Sequence, residues 1–251
     1  MPILSMHGHN VYWEEHGPTS HPAVILLHHG LGSVRAWREQ TPVLLQAGYR
    51  VVVYDRWGYG RSDRRPALDL PTFAADVADL QTLLLHLNLS CAALVGHSDG
   101  GTVALYYAAQ HPEQVSCLVT IAAHIYVEPS IPLGVRAVGE QYEHEARFRQ
   151  GLQRVHGEQA ASTFYNWYHG WCGLENLEWN MLPVLAKITC PALVVQGSQD
   201  EHATPQHARD IAAGIPNSEL WLLDGARHML PQEHAAEFNH GLVQFLKRVY
   251  V

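Results

Sequence analysis

The stretch that decides the fold is Ala93-Leu94-Val95-Gly96-His97-Ser98-Asp99-Gly100-Gly101-Thr102-Val103-Ala104. An apolar strand runs into Gly-x-Ser-x-Gly, and an apolar-faced helix follows. Such a turn is so sharp that its serine is forced toward an unfavourable backbone conformation, and Gly96 and Gly100 lack the Cβ atoms that would clash there. Ser98 then stands exposed above the sheet, at the positive end of the helix that it opens. A serine hydroxyl held in this way is a candidate nucleophile, and it needs a base and a group to orient that base.

Outward from this turn, short aliphatic runs alternate with helical patterns. The candidate strands are 9–15, 23–27, 49–54, 92–95, 115–121, 192–196 and 219–223. Those in the middle are apolar throughout, as expected of parallel strands covered on both faces. Candidate helices are 36–46, 72–87, 98–110, 205–213 and 232–248. In 72–87, Phe73, Val77, Leu80, Leu84 and Leu87 recur at three- and four-residue steps and form one apolar face. The alternation predicts an α/β fold, a doubly wound and mostly parallel sheet, with its first strands as an antiparallel lead-in. It stops between about Ile125 and Ala186. That segment is helical in character and holds nine aromatic residues. It reads as a helical lid, 125–186, inserted after the strand 115–121 into a core made of 1–124 and 187–251.

In this chain order the orienting acid and the base should each follow a later strand. After 192–196 comes Gly197-Ser198-Gln199-Asp200-Glu201, and Asp200 is the candidate acid. Glu201 is a neighbouring alternative and Glu128 a distant one. After 219–223 comes Asp224-Gly225-Ala226-Arg227-His228-Met229, and His228 is the candidate general base. His97 should pack inward, and His234 falls within the last helix. The oxyanion of an acyl-transfer transition state needs backbone N–H donors. Asp99, after the nucleophile, offers one. The loop His28-His29-Gly30-Leu31-Gly32 offers the second, with Leu31 the candidate donor; the alternative is a plain connecting loop.

The motifs Leu27-His28-His29-Gly30, Tyr54-Asp55-Arg56-Trp57-Gly58-Tyr59-Gly60-Arg61-Ser62-Asp63, the Gly-His-Ser-Asp-Gly-Gly elbow and Gly225-Ala226-Arg227-His228 together resemble the α/β-hydrolase superfamily. The resemblance covers nearly the whole chain, the lid least. It implies a lid after the sixth strand of that fold, and for Asp55–Ser62 a structural turn without catalysis. The Ser-Asp-Gly-Gly elbow is most similar to the biphenyl-hydrolase-like serine esterases of the valacyclovir-hydrolase type. Those cleave carboxylic esters, some of them amino-acid esters. The lid departs from that family's sequences, so the substrate does not carry over.

Asp99 has a second possible role. Its carboxylate, bordering the pocket, would attract a substrate ammonium group; the alternative is that it serves the helix dipole or binds Arg35 or Arg56. Trp167, Tyr168, Trp171 and Trp179, with Leu31 and Met229, are candidates to line an apolar pocket beside His29 and Gly30. The alternative is that the rings build the lid's own core. The expected reaction is cleavage of a small, aromatic or short-chain carboxylic ester, with or without an amine, through an acyl-enzyme on Ser98, with no cofactor and no metal. Three other readings share the fold: a C–C bond hydrolase of meta-cleavage products, a cofactor-free perhydrolase, and a non-catalytic ligand-binding protein. An epoxide hydrolase or haloalkane dehalogenase would carry Asp where Ser98 stands.

Composition sets the frame. The chain has 251 residues, 47% hydrophobic and 16% charged, with a net charge of −8. Disorder is excluded by this hydrophobicity. An acidic chain without a Lys/Arg block suits neither nucleic acid nor an anionic membrane. No apolar run is long enough to span a bilayer. The first residues carry no signal-peptide pattern, and a cytoplasmic monomer or homodimer is expected. Cys91, Cys117, Cys172 and Cys190 form no CxxC pair and read as buried free thiols, with a disulfide as the alternative. The 18 histidines are scattered, without a zinc-protease spacing.

Overall fold

A computed structural model describes residues 2–174 and 178–250. The chain opens with a hairpin of β1 (Ile3–Met6) and β2 (His9–His16). His7 and Gly8 between them both have positive φ, the conformation of a tight hairpin turn that matches strand twist. β1 is absent from the sequence-based expectation because it is only four residues long and half exposed. Next come β3 (Ala23–Leu27), α1 (Thr41–Gln46), β4 (Arg50–Tyr54), α2 (Ala74–His86), β5 (Ala92–His97), α3 (Asp99–Gln110) and β6 (Val115–Ile121). Four helices follow: α4 (Ser130–His144), α5 (Ala146–His156), α6 (Ala160–Cys172) and α7 (Leu182–Leu185). The chain ends with β7 (Ala192–Gly197), α8 (Pro205–Gly214), β8 (Ser218–Leu223), α9 (Leu230–Glu233) and α10 (Ala235–Val249).

The eight strands form one sheet in the order β1-β2-β4-β3-β5-β6-β7-β8. All pairs from β4 to β8 are parallel, while β2 runs antiparallel to β4. The antiparallel lead-in is thus present, but its neighbour in the sheet is β4 rather than the next strand in sequence. β3, with the sequence AVILL, is buried at all five positions, as is β4. One apolar layer, with Phe73, Leu80, Val103 and Leu105, covers one face of the sheet. A second, with Trp37, Leu44, Phe238 and Phe245, covers the other.

Two expected helices are broken. Residues 36–46 divide into a short 3₁₀ turn, Val34–Trp37, and α1, which has Pro42 in its first turn. Proline has no N–H and crowds the preceding turn, so a helix starts at it rather than running through it. Residues 232–248 divide at His234, which lies between α9 and α10 with φ −117° and ψ 38°. The cysteines also differ from expectation. Cys117 and Cys190 are buried, Cys172 is half-buried and Cys91 is exposed, and all four are free thiols.

The helices between β6 and β7 carry a small core of their own. Phe164 stacks on Tyr142 with ring centroids 3.7 Å apart, and Leu152 and Ala160 close the cluster. Among the described residues no helix is long and apolar enough to cross a membrane.

Candidate active site

The turn after β5 has the strain that its sequence demands. Ser98 has φ 53° and ψ −121°. A non-glycine residue held in such a region costs roughly 1–3 kcal/mol and persists only where its surroundings fix it. Here Ser98 N–H donates to Ile121 O at 2.8 Å, and a Cβ on Gly96 or Gly100 would collide with neighbouring backbone.

The structure brings Ser98, His228 and Asp200 together from three strand ends. Ser98 Oγ lies 3.0 Å from His228 Nε2. His228 Nδ1 lies 3.0 and 2.9 Å from the two carboxylate oxygens of Asp200. Asp200 is held in turn by the N–H groups of His202 and Ala203, at 2.8 and 3.0 Å, and by the Gln196 side-chain amide at 2.7 Å. Burial alone would weaken the imidazolium of His228; the charge and hydrogen bond of Asp200 outweigh burial and hold its pKa above the usual imidazole value. Burial would likewise raise Asp200, yet His228 and the two backbone donors hold it below the usual carboxylate range. Glu201 and Glu128 stand elsewhere. Glu201 accepts from the backbone N–H of His228 at 3.2 Å, while Glu128 accepts from Thr204 N–H at 2.7 Å and is held down to about 2. His97 does pack inward, fully buried, and its Nε2–H donates to the carbonyl of His228 at 2.9 Å.

The two expected oxyanion donors share one property. Neither Leu31 N–H nor Asp99 N–H has an acceptor among the described residues. Leu31 lies between Gly30 and Gly32 in a left-handed conformation, φ 60°. The turn is closed by Gly32 N–H donating to His29 O at 3.1 Å. A Cβ on Gly30 would collide with the Trp167 indole and the Asp99 carboxylate, so only glycine lets these three meet.

A cavity of about 360 Å³ opens over Ser98. Its walls include His29, Gly30, Leu31, Asp99, Trp167, Trp171 and Met229, each a pocket candidate from the sequence, together with His228. Tyr168 and Trp179 do not line it. Tyr168 stacks toward Phe164 in the small core of the insertion, and Trp179 Nε1–H donates to the Tyr106 hydroxyl. Sequence reasoning missed Ile131, Val135 and Val138, which reach the cavity from α4, and Phe148 and Leu152 from α5. The i, i+4, i+7 spacing in α4 was the available signal. It also missed His124 and His202, and it named Glu201 only as an alternative acid. The charged side chains of the wall, Asp99 and Glu201, are both acidic, and no Lys or Arg is among the described lining residues. Burial lowers His29 and His202 to about 4 and His124 to about 3, so these imidazoles are neutral near pH 7.

Asp99 also meets a buried cation. One oxygen lies 3.5 Å from Arg56, which is held more closely by Asp76 at 3.0 Å. Burial raises the Asp99 carboxyl, and Arg56 only partly offsets it. Arg35 is engaged elsewhere, by the Arg154 carbonyl. The Asp55–Ser62 segment is a stapled turn: the Asp55 carboxylate accepts from Val34 N–H at 2.6 Å and Arg61 N–H at 2.8 Å.

Comparison with known proteins follows the same lines. The family described as the alpha/beta hydrolase fold matches residues 22–181. The chain belongs to this family. A human relative, serine hydrolase BPHL, is 32% identical over 97% of this chain and 85% of its own length. A non-heme chloroperoxidase of Streptomyces lividans is 28% identical over 98% of this chain and 99% of its own. A crystal structure from work on carboxylesterases of Nitrososphaera gargenis superposes with a TM-score of 0.82 at 22% identity. It covers 99% of this chain and 98% of that one. The α/β-hydrolase assignment accounts for the eight-stranded, mostly parallel sheet and the turn at Ser98, and the relatives make the chain one of a family of hydrolases.

Proposed function

We propose that this α/β hydrolase is a serine esterase for small carboxylic esters. The observation that carries the reading is the chain of contacts Ser98 Oγ, His228 Nε2, His228 Nδ1 and Asp200, at 3.0 Å and 2.9 Å, on the floor of the cavity. In this reading His228 takes the Ser98 proton as the hydroxyl attacks the ester carbonyl. Asp200 keeps the imidazole in the right tautomer and stabilises its cation. The free N–H groups of Leu31 and Asp99 meet the developing oxyanion. His228 then protonates the departing alcohol, and a water that it deprotonates hydrolyses the acyl-Ser98. The helices of 125–186 act as a lid, and no cofactor is required.

The cavity wall narrows the substrate. Its volume suits a short acyl chain or one aromatic ring more than a lipid. With two acidic side chains and no cation in the wall, a substrate carrying its own carboxylate would be repelled. This disfavours the dienoates of a meta-cleavage C–C hydrolase. An ester bearing an ammonium group would instead gain from Asp99, whose partner Arg56 is already shared with Asp76.

The test is hydrolysis of p-nitrophenyl acetate, butyrate and octanoate by wild type and Ser98→Ala, together with one amino-acid ester and its neutral analogue. Turnover should disappear with Ser98 and fall with chain length. Asp99→Asn should lower kcat/KM for the amine-bearing ester roughly tenfold, the equivalent of about 1.4 kcal/mol, and spare the neutral one. Ester turnover that survives in Ser98→Ala would overturn the reading.

A further inference from the structure

One buried imidazole ties the helical insertion to the loop that carries Leu31. His156 ends α5 and is 3% exposed. Its Nδ1 lies 2.8 Å from Gly60 N, and its Nε2 lies 2.9 Å from Leu31 O. A backbone N–H can only donate, so Nδ1 accepts. The ring proton of the neutral imidazole is therefore on Nε2 and is donated to the Leu31 carbonyl. Burial lowers His156 to about 4, so the ring stays neutral across the working range of the triad.

The peptide that links Leu31 to Gly32 is thereby gripped at both edges. Its oxygen accepts from His156 Nε2–H, and its N–H donates to His29 O at 3.1 Å. That grip matters because Leu31 is left-handed, a conformation that a leucine leaves when released. Rotation back to an ordinary backbone conformation would swing the Leu31 N–H, which has no acceptor among the described residues, away from its present direction. Neighbouring contacts hold the insertion to the core without touching Leu31. Gln159 Nε2 donates to the carbonyls of Gly60 and Ser62, both at 2.9 Å, and Thr163 Oγ1 donates to Gly58 O at 2.8 Å.

We propose that His156 is a positioning residue for the oxyanion hole: from the insertion, it holds Leu31 in the strained conformation that aims its N–H at the reacting carbonyl. The proposal rests on the esterase reading. It adds that the insertion sets the geometry of the transition-state site as well as covering it.

Two isosteric variants separate the two bonds of the ring. In His156→Gln the side-chain amide nitrogen falls where Nε2 stands and can still donate to Leu31 O. In His156→Asn it is too short to do so, while its oxygen can still accept from Gly60 N–H. Rates are taken per active site, counted by stoichiometric labelling with a fluorophosphonate, so unfolded material does not enter. In His156→Asn, kcat should fall about tenfold or more with little change in KM, because an oxyanion donor acts in the transition state. Affinity for phenylboronic acid, which forms a tetrahedral adduct on the serine, should fall with it. His156→Gln should restore most of both. Gln159→Leu should lower Tm as His156→Asn does and leave kcat per site unchanged.

A His156→Asn variant with wild-type kcat and boronate affinity would overturn the proposal, as would equal losses in Gln159→Leu. Nitrogen NMR of the wild-type imidazole needs no variant: the Nε2–H tautomer is expected, and the Nδ1–H tautomer refutes the bond to Leu31. Failure of the esterase reading looks different, since Ser98→Ala would then retain the wild-type rate.

Discussion

His228 carries opposing influences, and their balance has a kinetic signature. Burial favours its neutral form; Asp200, Glu201 and Asp99 favour its charged form, and the acids prevail. In its proposed role of general base it works only when neutral, so the acid limb of kcat/KM should have its midpoint above 6.5, the ordinary imidazole value. In Asp200→Asn the midpoint should move down and kcat should fall by several orders of magnitude, measured on p-nitrophenyl acetate between pH 5 and 9. A wild-type midpoint below 6.5 would contradict this account of the site. Ser98, Asp200 and His228 were legible in the sequence because each follows an apolar strand within a few residues. His156 was not. It is one of 18 histidines, in no motif, and its two partners lie 96 and 125 residues away. Nothing local in a sequence marks a contact of that range.

At the level of elements, the strands and α3 follow from hydrophobic runs and were readable to within a few residues. The insertion was readable only as helical and aromatic. Its rings divide between two tasks, which depends on rotation about α6: Phe164 and Tyr168 turn into a local cluster, Trp167 and Trp171 into the cavity. Periodicity gives the stripe, but the direction it faces is fixed by what packs against it. Phe164 is 1% exposed and stacked between Tyr142 and Tyr168. Phe164→Ala should cost about 3–5 kcal/mol of local stability. Hydrogen exchange should then quicken across α4, α5 and α6, while amides of β3, β5 and β6 keep their protection. Uniform loss of protection through the sheet would show that the insertion has no stability of its own.

The whole molecule has an uneven response to acid. His28, His97, His124 and His156 are all buried, with 0 to 4% exposure. Burial lowers the first two far below the usual value, and His124 and His156 to about 3 and about 4. Such a group takes a proton in the unfolded chain below pH 6.5 but not in the folded one. Stability is therefore full above 6.5 and falls as pH drops toward 4. At pH 5 each of the two with stated values should remove on the order of 2 kcal/mol. His228 has the opposite sign, its stabilisation being present below 6.5 and lost as pH rises through its raised value, and the carboxyls of Asp55 and Asp79, raised by burial to about 6, and of Asp99 act in the same sense and offset part of the loss. Urea denaturation at pH 7, 6 and 5 should show a midpoint falling through this window, because each buried histidine loses more there than a raised carboxyl regains; a flat profile would mean that these rings are wetter than the structure has them. Composition gave the abundance of histidine, and only packing could say which imidazoles are kept from water.

The insertion leaves the sheet after β6 and returns at β7, two strands that lie side by side. With a compact cluster of its own, it is a segment that recombination can replace without rewriting the strands on either side. A replacement would bring a new set of cavity walls. It would also have to bring a donor to the place where the ring of His156 meets Leu31. A foreign segment matched only for the shape of the cavity would change what is accepted and slow turnover in the same step. In a lineage built on this scaffold, substrate range and catalytic rate are thus inherited together on one piece of chain.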